Sequence, residues 1–269
     1  MTAICIVNGV VGAPLDPLDR GLHYGDGVFR TLRVEHGAPR WWDEHLHKLE
    51  SDAARLGLAA PSPEQWQSDV ELLGTPPASG VLKLLLTRGV GARGYRPTIQ
   101  TTTRILIHTP GLPPSDTWPQ PGLTLRLCQL RLGEQPHLAG IKHLNRLENV
   151  LARSEWDDPE IHEGLLLDTR DRVISGVMSN LFLWRDGCLH TPALDRCGVA
   201  GVTRDRLLHR AAAAGYRVEI RDLHLDDLLA AEELMLTNSL MGLRHVASLE
   251  QHRWPESIIS PQLQVLLDA

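Results

Sequence analysis

Apolar positions along this chain switch between a period of two and a period near 3.6, and the switches mark its elements. Residues 3–7 form an apolar run ending in Asn8-Gly9, a dipeptide suited to a two-residue hairpin because both central residues must take positive φ. Thr31-Leu32-Arg33-Val34 alternates, and Gly37 predicts a turn into the segment near Trp41. The first region therefore reads as a meander of short strands. Leu46, Leu49, Ala53 and Leu56 then share one helical face, with Gly57 as a stop. Residues 81–86 and 104–107 return to strand, the second ending near Pro110.

Residues 109–122 contain five prolines, which remove backbone donors and resist regular structure. This predicts a boundary between an N-terminal α/β domain (1–112), a proline-rich linker (113–122) and a C-terminal domain (123–269). Beyond the linker, strands near 123–127, 164–168, 181–184, 217–220 and 234–236 alternate with helices near 144–156, 203–214 and 225–231. In the first of these helices Leu144, Leu147 and Leu151 recur at i, i+3 and i+7. The mixture predicts an α/β class. No internal repeat or low-complexity tract interrupts it.

At 269 residues the chain can bury a substantial core without disulfides. Cys5, Cys128, Cys188 and Cys197 show no pairwise metal-ligand spacing, which predicts reduced, mostly buried thiols in the cytoplasm and no metal site. No stretch approaches a membrane span, and no basic-then-apolar leader opens the sequence. A formal net charge of -6 with scattered arginines excludes a general nucleic-acid role, which needs a clustered basic field.

Lys142, in Ile141-Lys142-His143-Leu144-Asn145-Arg146-Leu147-Glu148, stands just ahead of a helical pattern and beside apolar groups. An amine in that setting is a candidate Schiff-base former, because partial burial favours the unprotonated form that attacks a carbonyl. A solvated lysine is the plain alternative. Gly201-Val202-Thr203 opens a predicted helix, and helix N-terminal amides with a threonine hydroxyl suit a phosphate dianion. An ordinary glycine turn with a threonine cap has the same pattern. In Arg88-Gly89-Val90-Gly91-Ala92-Arg93-Gly94-Tyr95 the glycines allow a tight loop around an anionic guest. His45 and His47, two residues apart, cannot face one site on a helix, and they are read as non-ligands.

The motifs 19–29, 87–89, 93–95, 142–148, 179–182, 201–204 and 237–239 together resemble, in content, order and spacing, the fold type IV pyridoxal-phosphate enzymes. Within that family the likeness is greatest to the aminodeoxychorismate lyases, and it covers most of the chain. The resemblance implies an α/β sandwich first domain, a barrel-like second domain, pyridoxal 5'-phosphate at their interface and a homodimer. It implies that 4-amino-4-deoxychorismate is converted to 4-aminobenzoate and pyruvate, for folate synthesis, with Lys142 as the catalytic amine. D-amino-acid or branched-chain amino transfer on the same fold is the alternative, and a catalytically idle cofactor-binding homologue is a third.

Carried over residue by residue, the resemblance assigns Val202, Thr203, Asn238 and Ser239 to the cofactor phosphate and Asn180 to the cofactor-binding set. Lys48 stands where the family usually has arginine, keeping the charge but losing the planar fork. Arg93 is implied as a clamp for a substrate carboxylate, reached from the neighbouring subunit, with Tyr95 beside it. Phe29 and Thr31 match pocket-lining positions. One departure is larger: Ser175 occupies the position at which the family usually offers a glutamate to the pyridine nitrogen. A hydroxyl there leaves the ring a weaker electron sink than a carboxylate would.

Overall fold

In the computed structural model, Asn8 (φ 50°) and Gly9 (φ 83°) turn the chain between strands β1 (Ile4–Val7) and β2 (Val10–Val11), as the sequence predicts. The structure describes residues 2–74, 79–97, 101–112 and 119–269, so residues 113–118 of the expected linker lie outside the described residues. Two compact units divide the chain: Met1–Pro113 with Lys142–Asn145, and Pro114–Ile141 with Arg146–Ala269.

The first unit continues with α1 (Arg20–Tyr24), β3 (Gly27–Glu35), β4 (Ala38–Pro39), α2 (Trp42–Arg55), α3 (Pro63–Glu71), β5 (Gly80–Thr87) and β6 (Thr103–Pro110). Its six strands pair antiparallel in the order β2-β1-β6-β5-β3-β4. The expected meander does not hold, because β1 pairs with β6 rather than β3, and the Asn8 side chain accepts the Arg104 amide at 2.9 Å to fix that edge. Along β3, Val28, Arg30, Leu32 and Val34 are buried while Phe29, Thr31 and Arg33 are only half-buried. Helix α2 contacts β3 and buries Leu46, Leu49 and Ala53, the predicted stripe. Lys142–Asn145 adds to this unit by antiparallel bonds: Phe29 N–H to the Lys142 carbonyl, and Leu144 N–H to the Gly27 carbonyl, both 2.9 Å.

The second unit holds β7 (Leu123–Leu132), α4 (Leu147–Arg153), β8 (Glu163–Asp168), β9 (Val173–Gly176), β10 (Asn180–Arg185), β11 (Cys188–Pro192), α5 (Val202–Ala213), β12 (Arg217–Arg221), α6 (Leu225–Leu229), β13 (Glu233–Asn238), β14 (Gly242–Leu249), β15 (His252–Arg253) and α7 (Ser260–Asp268). Its mixed sheet runs β12-β11-β10-β13-β14-β7-β8-β9, with β15 on β14. The end strand β9 lies back against β10 and β11, so the sheet curls toward the barrel-like form expected. Leu165, Leu167, Leu181, Leu183, Leu234 and Leu236 fill its core, and strands this apolar require cover on both faces. α5 packs on β12 and β13, and α7 packs on β14 and α5.

One helix departs from the sequence reading. α4 begins at Leu147, not Leu144, because the Leu144 amide is taken by β3. Leu147 (75 % exposed), Val150 and Leu151 form an apolar stripe open to solvent in the single chain.

Candidate active site

Lys142 is half-buried, and its backbone is held on both sides. Its amide donates to Asp52 Oδ2 at 3.0 Å and its carbonyl accepts Phe29 N–H at 2.9 Å. Its Nζ lies 4.7 Å from the centre of the Phe29 ring, and Lys83 Nζ lies 4.9 Å from the same centre, so one aromatic ring faces two ammonium groups. Thr31 is directly opposite Lys83 across the β3–β5 ladder. The half-buried face of β3 thus gathers Phe29, Thr31, Lys83 and the Lys142 amine in the first unit.

Behind that face is a charge cluster that the sequence reading missed. Asp52 on α2 is fully buried and receives Arg30 Nη2, Lys48 Nζ at 2.5 Å and the Lys142 amide. Arg30 is 1 % exposed and also donates to the Lys48 carbonyl at 3.3 Å. The readable signal was Arg30 at a core position of the Val28-Leu32-Val34 alternation, since a buried guanidinium demands a partner. Lys48, expected at the cofactor phosphate, is paired with Asp52 in this structure. His45 is buried with neither ring nitrogen hydrogen-bonded, and burial, with Arg30 and Lys142 nearby, pushes its pKa down to about 3.

Arg93 and Tyr95 are exposed on their loop, but the loop backbone is held. Arg20, itself buried, donates from Nη1 to the Gly94 carbonyl at 2.7 Å and from Nη2 to the Tyr95 carbonyl at 3.3 Å, while its Nε reaches Asp26 at 2.9 Å. Gly94 N–H donates to the Tyr24 hydroxyl, and the Tyr24 and Tyr95 rings meet edge-on at 5.5 Å. Burial would raise the Asp26 carboxyl, but hydrogen bonds from Arg88 and Arg20 outweigh it and hold it below the usual range.

In the second unit, Gly201, Val202 and Thr203 open the 12-residue helix α5, whose first-turn amides have no intrahelical acceptor. Thr203 Oγ1 and Ser239 Oγ stand 3.5 Å apart, so two hydroxyls converge beside those amides. A Cβ on Gly201 would fall 2.5 Å from Asn180 Oδ1, which accepts the Gly201 amide at 3.1 Å. Hydroxyl and amide donors at a helix start, with glycine at the close approach, fit a phosphate dianion. Asn180 and Asn238 act differently from Thr203 and Ser239. Asn180 Nδ2 holds the Val199 carbonyl at 2.8 Å, and Asn238 Oδ1 accepts the Leu240 and Met241 amides at 2.9 Å. Both side chains brace the loops that present the hydroxyls.

Ser175 is buried, and its hydroxyl donates to the Gly176 carbonyl at 2.8 Å, which leaves its lone pairs as acceptors. The sequence reading found no acid in the run around it, but an acid approaches that run's end from the neighbouring strand. Glu163, at the start of β8, accepts the Met178 amide at 3.1 Å and the Ser179 hydroxyl at 3.0 Å. Burial pushes its carboxyl up, against the pull of those hydrogen bonds. Asn149 Nδ2 donates to the Val177 carbonyl and Asn238 Nδ2 to the Met178 carbonyl, so the turn between β9 and β10 is tied to three other elements.

Cys188, His190 and Glu219 bring ligand atoms within 4.8 Å of one another. Arg221 Nε donates to His190 Nδ1 at 3.3 Å and Arg217 pairs with Glu219 at 3.6 Å, so two of the three groups are already engaged by guanidinium groups.

Residues 27–249 match the family model for class IV aminotransferases. The chain is 36% identical over 247 residues to an aminodeoxychorismate lyase of Vibrio harveyi, covering 90% of each protein. It is 30% identical to a putative branched-chain-amino-acid aminotransferase of Methanocaldococcus jannaschii, over 84% of this chain and 80% of that one. The crystal structure of 4-amino-4-deoxychorismate lyase from Pseudomonas aeruginosa superposes with a TM-score of 0.91 at 45% identity, covering 98% of this chain and 97% of that one. The chain belongs to the class IV aminotransferase family.

Proposed function

We propose that this chain is a pyridoxal-phosphate-dependent lyase that converts 4-amino-4-deoxychorismate to 4-aminobenzoate and pyruvate, serving folate synthesis. The observation that carries the reading is Lys142, whose backbone is held by Asp52 and Phe29 while its amine stands against the Phe29 ring. The lyase relatives from Vibrio harveyi and Pseudomonas aeruginosa supply the substrate.

Bound pyridoxal phosphate supplies an aldehyde for the substrate amine and a ring that accepts negative charge from the amine-bearing carbon. The amides of Val202 and Thr203 and the hydroxyls of Thr203 and Ser239 would hold its phosphate, with Asn180 and Asn238 bracing those donors. With the cofactor bound, the Lys142 amine would be the group that holds it and, once freed by the substrate amine, the base that takes the proton from the amine-bearing carbon. Loss of that proton drives out enolpyruvate, which becomes pyruvate, and leaves the aromatic ring of 4-aminobenzoate. Arg93 clamps a substrate carboxylate, and Tyr95, Phe29 and Thr31 shape the pocket.

Amino transfer is the second reading, favoured by the Methanocaldococcus jannaschii relative. Ser175 argues for the lyase. A ring without a carboxylate partner stabilises a carbanion weakly, which suits prompt loss of a leaving group better than reprotonation. No helix among the described residues is long and apolar enough to cross a membrane, and the four cysteines are free, which supports a reducing cytoplasmic setting. The exposed stripe Leu147, Val150 and Leu151 supports a homodimer, since an apolar helix face of this kind calls for a cover.

Borohydride reduction of the cofactor-loaded protein followed by peptide mapping tests the assignment. The label is expected on Lys142, and a label on Lys48 or Lys83 would overturn it.

A further inference from the structure

The Lys142 amine does not stand alone among its neighbours. Arg30 from β3, Lys83 from β5, and His45, Lys48 and Asp52 from α2 are the titratable and charged groups gathered around it in the first unit. Among these described groups Asp52 is the one anion, and it is fully buried. One carboxylate oxygen takes Arg30 and the Lys142 amide, and the other takes Lys48 at 2.5 Å.

The geometry points to Asp52 as a positioning residue for the Lys142 amine, which fixes the nucleophile's backbone and sets its charge against the surrounding cations. The inference rests on the reading of Lys142 as the nucleophile, and it adds a residue to which no role has been assigned. A carboxylate held by two buried or half-buried cations cannot swing away without stranding Arg30. Its hydrogen bond to the Lys142 amide therefore fixes where the side chain starts. Its negative charge also offsets Arg30 and Lys48, which would otherwise disfavour a protonated neighbour. Lys48 adds a second link, because its ammonium shares the Asp52 carboxylate with the nucleophile's backbone.

The test reads Lys142 directly and does not depend on turnover. In the full-length chain after removal of cofactor, the pH dependence of acetic anhydride labelling at Lys142 is followed by mass spectrometry. Asp52→Asn is expected to lower the labelling midpoint by about one pH unit, roughly tenfold in the unprotonated fraction at a fixed pH below it. Lys48→Met, which removes a cation and leaves Asp52, is expected to raise the midpoint. Leu32→Ala, which opens a cavity at a fully buried position on the same strand, should lower the thermal midpoint and leave the labelling midpoint in place. Unchanged labelling midpoints in both charge variants overturn the inference, as does a shift of equal size in Leu32→Ala. If Asp52→Asn does not fold, the sign of the Lys48→Met shift decides. A borohydride label elsewhere than Lys142 defeats the functional reading but leaves this measurement standing, so the two failures are distinguishable.

Discussion

The Lys142 amide and the Asp52 carboxylate lie ninety positions apart in the chain and meet at 3.0 Å. That bond joins two segments of the first unit, helix α2 and Lys142–Asn145, and it works because Arg30 and Lys48 neutralise the buried acid. Lys142 is thereby placed by a charge cluster rather than by a helix.

The cluster carries a stability prediction. Asp52→Ala leaves Arg30 buried without its carboxylate and should cost about 3–5 kcal/mol in denaturant unfolding. The double variant Asp52→Leu with Arg30→Met should recover most of that loss, because an apolar pair needs no neutralisation. A cost for Asp52→Ala below about 1 kcal/mol would show that Arg30 reaches water.

His45 should make the fold acid-sensitive. Its folded pKa, pushed down to about 3 by burial, lies below the unfolded value of 6.5, so the unfolded chain binds the extra proton. A base depressed in the folded state is neutral at no cost above 6.5 and withdraws stability as pH falls toward 3. By pH 5 its cost is about 2 kcal/mol. Comparing unfolding free energies of wild type and His45→Gln between pH 5 and 7.5 should show a shallower slope in the variant. Parallel slopes would mean that His45 titrates normally.

Arg20 should govern the loop that carries Arg93. Its three hydrogen bonds to Gly94, Tyr95 and Asp26 cannot be copied by a single ammonium. Arg20→Lys should therefore raise KM about tenfold, with kcat and cofactor content little changed. Arg93→Ala should raise KM by about 10- to 150-fold, the loss of a charge-assisted contact of about 1.5–3 kcal/mol. Equal loss of cofactor from both variants would assign them to folding.

Much of this was legible in sequence, and the gaps share a cause. The hairpin at Asn8-Gly9, the α2 stripe and the helix opening at Gly201 are local patterns, each set by residues a few positions apart. Strand order was not legible, because the pairing of β1 with β6 joins Cys5 to Ile107. Leu144 was misread as helical since its spacing to Leu147 fits, and only the distant Gly27 carbonyl reveals its extended role. Asp52 and Glu163 were missed for the same reason: each is an ordinary acid until the fold buries it against a distant partner. Arg30 alone gave a local warning, as a charge on the buried side of an alternating strand.

Ser175 should influence the balance between elimination and amino transfer. Its hydroxyl proton is given to the Gly176 carbonyl, so a carboxylate in its place would bring a negative charge where now there is a neutral acceptor. Ser175→Glu should raise amino transfer relative to 4-aminobenzoate release and change the cofactor absorbance. Ser175→Ala should be milder, within about 0.5–1.5 kcal/mol of wild type for one neutral hydrogen bond. An unchanged activity ratio and spectrum in Ser175→Glu would place residue 175 away from the ring nitrogen.

Product analysis with 4-amino-4-deoxychorismate tests the central claim most directly. Purified, cofactor-loaded protein should release 4-aminobenzoate and pyruvate in equal amounts with no 2-oxo acid added as amino acceptor, and Lys142→Ala should release neither. Absence of 4-aminobenzoate, together with amino transfer from a D-amino or branched-chain amino acid to 2-oxoglutarate, would contradict the lyase assignment.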